Sequence, residues 1–143
     1  MAIASTGIRT TSVTGAAASA ELIASATNAY KLMEMGMALV AATAGSYSLG
    51  KPAAIGVTPT TPAALVFEDG GNTSTPGSTS ALAWGTSPTA PTIRARRATL
   101  PAVIGAGLCW TFPRGFAVLK ALTLVLFNEA TPSAHDEWWV IDE

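Results

Sequence analysis

Charge is scarce in this chain. Lys, Arg, Asp and Glu make up 12% of its 143 residues, about half the usual share of roughly 25%. A monomer wetted on all sides normally covers itself with these residues. A surface of Thr, Ser, Ala and Pro therefore points to partner contact. The net charge of −1 supplies no long-range attraction to nucleic acid or acidic membranes, and neither is expected as a partner. The single cysteine, Cys109, excludes an internal disulfide and, in an apolar run, reads as a small buried hydrophobe. A single histidine, His135, excludes multi-histidine metal clusters. Long hydrophobic runs are missing too. Met35 to Gly50 is the longest uncharged, fairly apolar stretch, too short for a membrane span and diluted by Gly, Ser and Thr. Residues 1–15 carry nothing resembling a signal peptide, which fits a soluble cytosolic product in which the Asn72-Thr-Ser sequon goes unused.

What is present is uneven. The length suits one domain. Residues 1–20 are mostly Ala, Ser, Thr and Gly. Ile3, Ile8 and Val13 are the sizeable apolar side chains there, too widely spaced for a helix stripe or a strand face. This predicts an extended arm that orders on a neighbour and can be deleted without loss of folding. The domain proper is then 21–143. Glu21 to Leu39 reads as a strand, a short helix near Asn28–Met35, and the start of another strand. "MALVAATA" and "ALVFEDGG" read as strands. "GKPAAIGVTPTTPA" is a proline-punctuated connection, and Asn72 to Pro91 is a polar loop with at most a short strand around Trp84. The last third, with "TIRARRATL", "LCWTF", "FAVL", "LTLVLFN" and "EWWVIDE", is richest in strands. Short strands separated by turn signals predict an all-β sandwich or barrel.

Strand faces sharpen the reading. Leu122, Leu124 and Leu126 share one face and Thr123, Val125 and Phe127 the other. Both are apolar, so both need cover. With Leu108, Trp110 and Phe112 joining the leucines in the core, Val125 and Phe127 are expected at an interface, with cover by the chain's own arm or loops as the alternative. Adjacent in a strand, Trp138 and Trp139 cannot both enter one core. Trp138 is assigned to the core with Val140, and Trp139 to an interface.

Residue types capable of chemistry are thinly spread. His135 beside Asp136 lacks a Gly-x-Ser-x-Gly nucleophile elbow and reads as a solvated turn residue. "GAG" at 105–107 lacks the third glycine of a dinucleotide fingerprint, and "EDGGN" at 68–72 misses calcium-loop spacing. A carboxylate pair such as Glu68 with Glu137 has nothing in the sequence to favour it. No catalytic residue, metal site or cofactor is therefore expected, and the chain is read as a non-enzyme. In "RARR", strict alternation puts Arg94 and Arg96 on one face and Arg97 on the other. The run reads first as a solvated strand face, and the alternative is that Arg94 and Arg96 dock onto an acidic protein surface through bidentate bonds.

From Ile93 to Glu143 the chain resembles the C-terminal part of small virion proteins of tailed bacteriophages. The resemblance rests on an arginine-bearing strand, "LPA", a glycine-rich bend, "WTFPRG", and two strands ending in an acidic terminus. In size and layout it is most similar to jelly-roll cement, or decoration, proteins. That resemblance implies a jelly-roll β-sandwich of about eight strands, without catalytic motif. It also implies attachment to the major capsid protein on the outside of an icosahedral head, assembled in the host cytoplasm, as a homodimer or homotrimer tying capsomers together. The long loop Gly70 to Pro91 departs from the pattern and keeps a tail or fibre adhesin as the alternative. The residues expected at interfaces are Trp139, Val125, Phe127, Arg94, Arg96, Ile3, Ile8 and Val13.

Overall fold

The computed structural model describes residues 2–10, 15–130 and 134–143. The strands in chain order are β1 (Ile3–Arg9), β2 (Ala17–Ile23), β3 (Tyr30–Leu39) and β4 (Gly45–Pro52), then the short β5 (Val57–Pro59), β6 (Pro62–Ala64), β7 (Val66–Phe67), β8 (Thr79–Ala81) and β9 (Trp84–Thr86). Four longer strands follow, β10 (Pro91–Leu100), β11 (Gly107–Val118), β12 (Thr123–Asn128) and β13 (His135–Asp142). The fold is all-β, as the turn-punctuated strand pattern predicts.

The eight longer strands form one folded ribbon. Antiparallel pairs β4–β10, β3–β11, β2–β12 and β1–β13 nest outward from a hairpin whose tip is the segment 53–90. Rolling that ribbon brings β13 against β3 and β12 against β4. The sheet orders become β11-β3-β13-β1-β7 and β10-β4-β12-β2-β8-β6. These orders define a jelly-roll sandwich. The tip segment adds β7 to one sheet and β6 and β8 to the other, closing the β1–β2 side. The β10–β11 side stays open.

Burial fixes the register. Along β13 buried and half-buried residues alternate without a break, placing His135, Glu137, Trp139 and Ile141 inside. They meet Leu32, Met35, Met37 and Leu39 of β3 and, across the sandwich, Leu22, Tyr47, Leu49, Leu124 and Leu126. All six residues of β12 are buried, because both faces of that strand are covered.

Several expectations are corrected. The described part of residues 1–20 is no free arm. Ile3–Arg9 pairs with β13 over seven residues, burying Ala4 and Thr6, and Ala17 already begins β2. The domain thus starts at β1. Backbone pairing between strands already flanked by partners needs few large side chains, so the sparse Ile3 and Ile8 gave no warning. The helix near Asn28–Met35 is also absent. Tyr30 and Leu32 face the core in β3, where tertiary packing overrides the helix preference of Met and Leu. Of the expected core, Phe112, Leu124 and Leu126 are buried and Leu108 and Trp110 pack against them, but Leu122 precedes β12 and is exposed. Cys109 is exposed as well, since it falls on the outer face of β11.

Two stability measurements follow. Trp139→Ala should cost about 3–5 kcal/mol in chemical denaturation. Removing residues 2–10, which strips β13 of a neighbour, should abolish the cooperative melt. A truncated protein melting like the full chain would restore the free-arm description.

Candidate interaction surfaces

The two tryptophans divide as the strand geometry requires, with the assignment reversed from expectation. Trp139 is fully buried, and its indole N–H donates to Glu137 Oε1 at 2.7 Å. Glu137 Oε2 lies 3.2 Å from His135 Nε2, and His135 Nδ1 lies 3.3 Å from Thr10 Oγ1. These groups form a polar chain inside the core, where hydrogen bonding offsets desolvation. His135 is therefore no solvated turn residue. The second carboxylate considered with it, Glu68, is exposed beyond β7, so Glu68 and Glu137 are not brought together.

Val125 and Phe127 lie on the outer face of their sheet, as alternation predicts, yet the chain covers them itself. With Ala18 they form a small cluster beneath Trp84 and Ala90. The buried Glu21 anchors that cover, accepting the Trp84 indole N–H at 2.8 Å and the Gly56 amide at 3.1 Å. A Cβ on Gly56 would stand 2.3 Å from Trp84 Cδ1 and 2.4 Å from Glu21 Oε2. Only glycine lets the segment lie this close. An acidic residue within an otherwise small, apolar strand was the available signal for this anchor.

The arginines are rearranged by a bulge. Arg94 pairs with Gly50 and Arg96 with Leu49, leaving Ala95 as the extra residue. Arg96 therefore turns inward at the mouth of the sandwich, its guanidinium 4.8 Å from the Phe112 ring centroid. Arg94 stays outside and makes a two-point contact with Glu129, at 2.6 and 3.2 Å. The two do not form the shared docking face that strict alternation implied. Ile3 is exposed and Ile8 half-buried within β1, on opposite faces, while Val13 lies outside the described residues.

Among the described residues, two surfaces remain uncovered. The first is the outer face of the sheet that contains β13. Trp138 sits at its centre, in register with Gly7 of β1 and Gly36 of β3, with Cys109 of β11 next along the row. Its ring lies over Gly36, where a Cβ would be 2.0 Å from Trp138 Cζ2, and its indole N–H donates to Glu34 at 2.7 Å. Glycine inside a strand often marks such a close approach. On the other side nothing comes within 4 Å of the Cβ position of Gly7. A shallow groove of about 530 Å³ opens there between Trp138 and the Arg9–Asp136 ion pair. The surrounding outward positions include Ser5, Thr111 and Val140.

The second surface is the open side of the sandwich. β10 and β11 are the terminal strands of their sheets, each with a backbone edge that no strand of the described residues pairs. The turn joining them exposes Val103 and Ile104, and Ile93 on β10 is 77% exposed. Among the described residues, no group of three or more His, Cys, Asp or Glu is arranged to hold a metal ion.

These features define a jelly-roll sandwich with one outer face built over by its own chain, one bare, and one side open. Comparison with protein-family models, with curated proteins and with solved structures gives no match.

The Arg94–Glu129 contact predicts a pH response. Glu129 is held below the ordinary carboxylate range, first by the Arg94 hydrogen bond and also by the Ser48 hydroxyl, 2.5 Å away. A depressed folded value adds stability above the unfolded pKa, about 4.3 for Glu, and that stability is lost as pH falls through the folded value. Arg94→Gln should raise the Glu129 pKa toward its ordinary range in a carboxyl NMR titration. An unchanged titration would show that Arg94 does not hold the carboxylate in solution.

Proposed function

We propose that the chain is a structural virion protein, a cement or decoration protein that binds the outside of an icosahedral phage head and ties neighbouring capsomers together. Its partner is the major capsid protein of the shell, and its place is the capsid exterior. The observation that carries this reading is the inequality of the two outer faces. One is roofed by residues from the 53–90 segment, anchored on Glu21. The other is bare around Trp138, low in free charge, with Arg9 and Asp136 neutralising each other and Glu34 engaged by the indole. An aromatic ring at the centre of such a face is a typical binding anchor. The scarcity of charged residues and the resemblance of 93–143 to virion proteins point the same way. Repetition of one modest contact around a lattice gives strong overall attachment.

The adhesin reading relied on the loop Gly70 to Pro91. Much of that segment serves the fold instead, through β8, β9, the Trp84 cover, and Gly77 and Ser78 amides donating to Glu143.

Purified protein mixed with heads stripped of accessory proteins should co-sediment in saturable, stoichiometric amounts. Trp138→Ala should weaken that binding by about 2 kcal/mol or more, roughly 30-fold, while shifting the melt far less than Trp139→Ala. Binding to host cells but not to heads would favour the adhesin. Unchanged head binding by Trp138→Ala would move the interface elsewhere.

A further inference from the structure

The charges that the chain does carry are segregated. β10 holds Arg94, Arg96 and Arg97, and β11 with the turn after it holds Arg114 and Lys120. The strands beside them add Lys31 on β3 and Lys51 on β4. Seven of the eight basic residues therefore belong to the open side, the exception being Arg9. Of the nearby carboxylates, Glu34 and Glu129 are already engaged by the Trp138 indole and by Arg94, and Asp142 stands opposite Lys31 in the β3–β13 ladder. The opposite edge of the β13-containing sheet has the other sign. Glu68 and Asp69 follow β7, the terminal strand there, and both are exposed. Glu68 donates its amide to Ile3 O, so this acidic pair sits at the corner where β1 begins. Each side also presents an exposed branched side chain, Ile93 on the basic one and Val66 on the acidic one.

We infer that the basic side built by β10 and β11 docks onto the acidic β7 edge of a second copy of this chain, head to tail. Charge complementarity selects this occupant. Two basic sides brought together would place like charges opposite one another, which disfavours a symmetric edge-to-edge dimer. Arginines on an edge strand also block indiscriminate strand pairing, leaving a contact that a carboxylate-bearing edge can satisfy. A contact between two different patches is heterologous. It closes into a ring when the rotation per copy divides a full turn and otherwise continues as a filament. The β7 edge has only two paired residues, so side-chain charge and the flanking Ile93 and Val66 supply most of the contact, and extended strand addition supplies little. This inference does not depend on attachment to a phage head.

Sedimentation velocity on the purified full chain tests it, with melting curves as the folding control. The wild type should self-associate at low ionic strength and less so when salt screens the contact. Arg97→Glu with Arg114→Glu strips the basic side of most of its net positive charge, and Glu68→Lys with Asp69→Lys makes both sides basic. Either double variant alone should associate about tenfold more weakly or not at all. An equimolar mixture of the two should recover the larger species, because each then supplies what the other lacks. If one pair impairs the melt, the single changes Arg97→Glu and Glu68→Lys replace it. A wild type that stays monomeric, association that survives both reversals, or a mixture no larger than its components would each overturn the inference.

Discussion

Pairing of the first strand with the last holds this molecule together. β1 lies against β13 over seven residues, and β13 is in turn the bridge between β1 and β3. The ribbon can roll into two sheets only once chain ends more than a hundred residues apart have met. Loop closure on that scale costs entropy before contacts repay it. The inner residues of β13 repay it by joining the core through Trp139 and Ile141, and by satisfying one another's polar groups from Thr10 through His135 and Glu137 to the Trp139 indole. A buried histidine and carboxylate in the core are tolerable because they are bonded to each other and to flanking groups.

Cover on one face and its absence on the other follow from where the long insertion sits. It occupies the tip of the ribbon between β4 and β10, and from there it reaches the β1–β2 side. β7 extends one sheet, β6 and β8 extend the other, and the Trp84 region folds over Val125 and Phe127. Glu21 bonds to the segment at two points, the Trp84 indole and the Gly56 amide. One segment thus closes an edge and a face together. The opposite edge, with the basic residues, and the opposite face, with Trp138, carry no such cover among the described residues.

Low charge content has a physical counterpart here. Several of the few charged side chains are spent inside the protomer. Glu21 and Glu137 are buried, Arg9 pairs with Asp136, and Arg94 pairs with Glu129. What remains is unevenly spread, with Arg97, Arg114 and Lys120 on the open side, Glu68 and Asp69 beyond β7, and Lys31 opposite Asp142. Such a distribution is poor at keeping a monomer solvated on all sides and well suited to contacts that have a direction.

The sequence by itself determined the class of fold, since repeated short strands with turn signals leave few alternatives to a sandwich or barrel. It also required that Trp138 and Trp139 part company, because neighbours in a strand point to opposite faces, and that both faces of Leu124–Phe127 be covered. Which tryptophan enters the core is a question of register, and register depends on the partner strands β1 and β3, far away in the chain. The same holds for Val125 and Phe127, whose cover comes from Trp84, about forty residues earlier. The Ala95 bulge, which no local pattern announces, decided that Arg96 turns inward while Arg94 stays out. Residues 3–9 look featureless because pairing through the backbone leaves little trace in side-chain type. Only the tertiary structure could make them a strand, since their partners in β13 are supplied by the far end of the chain.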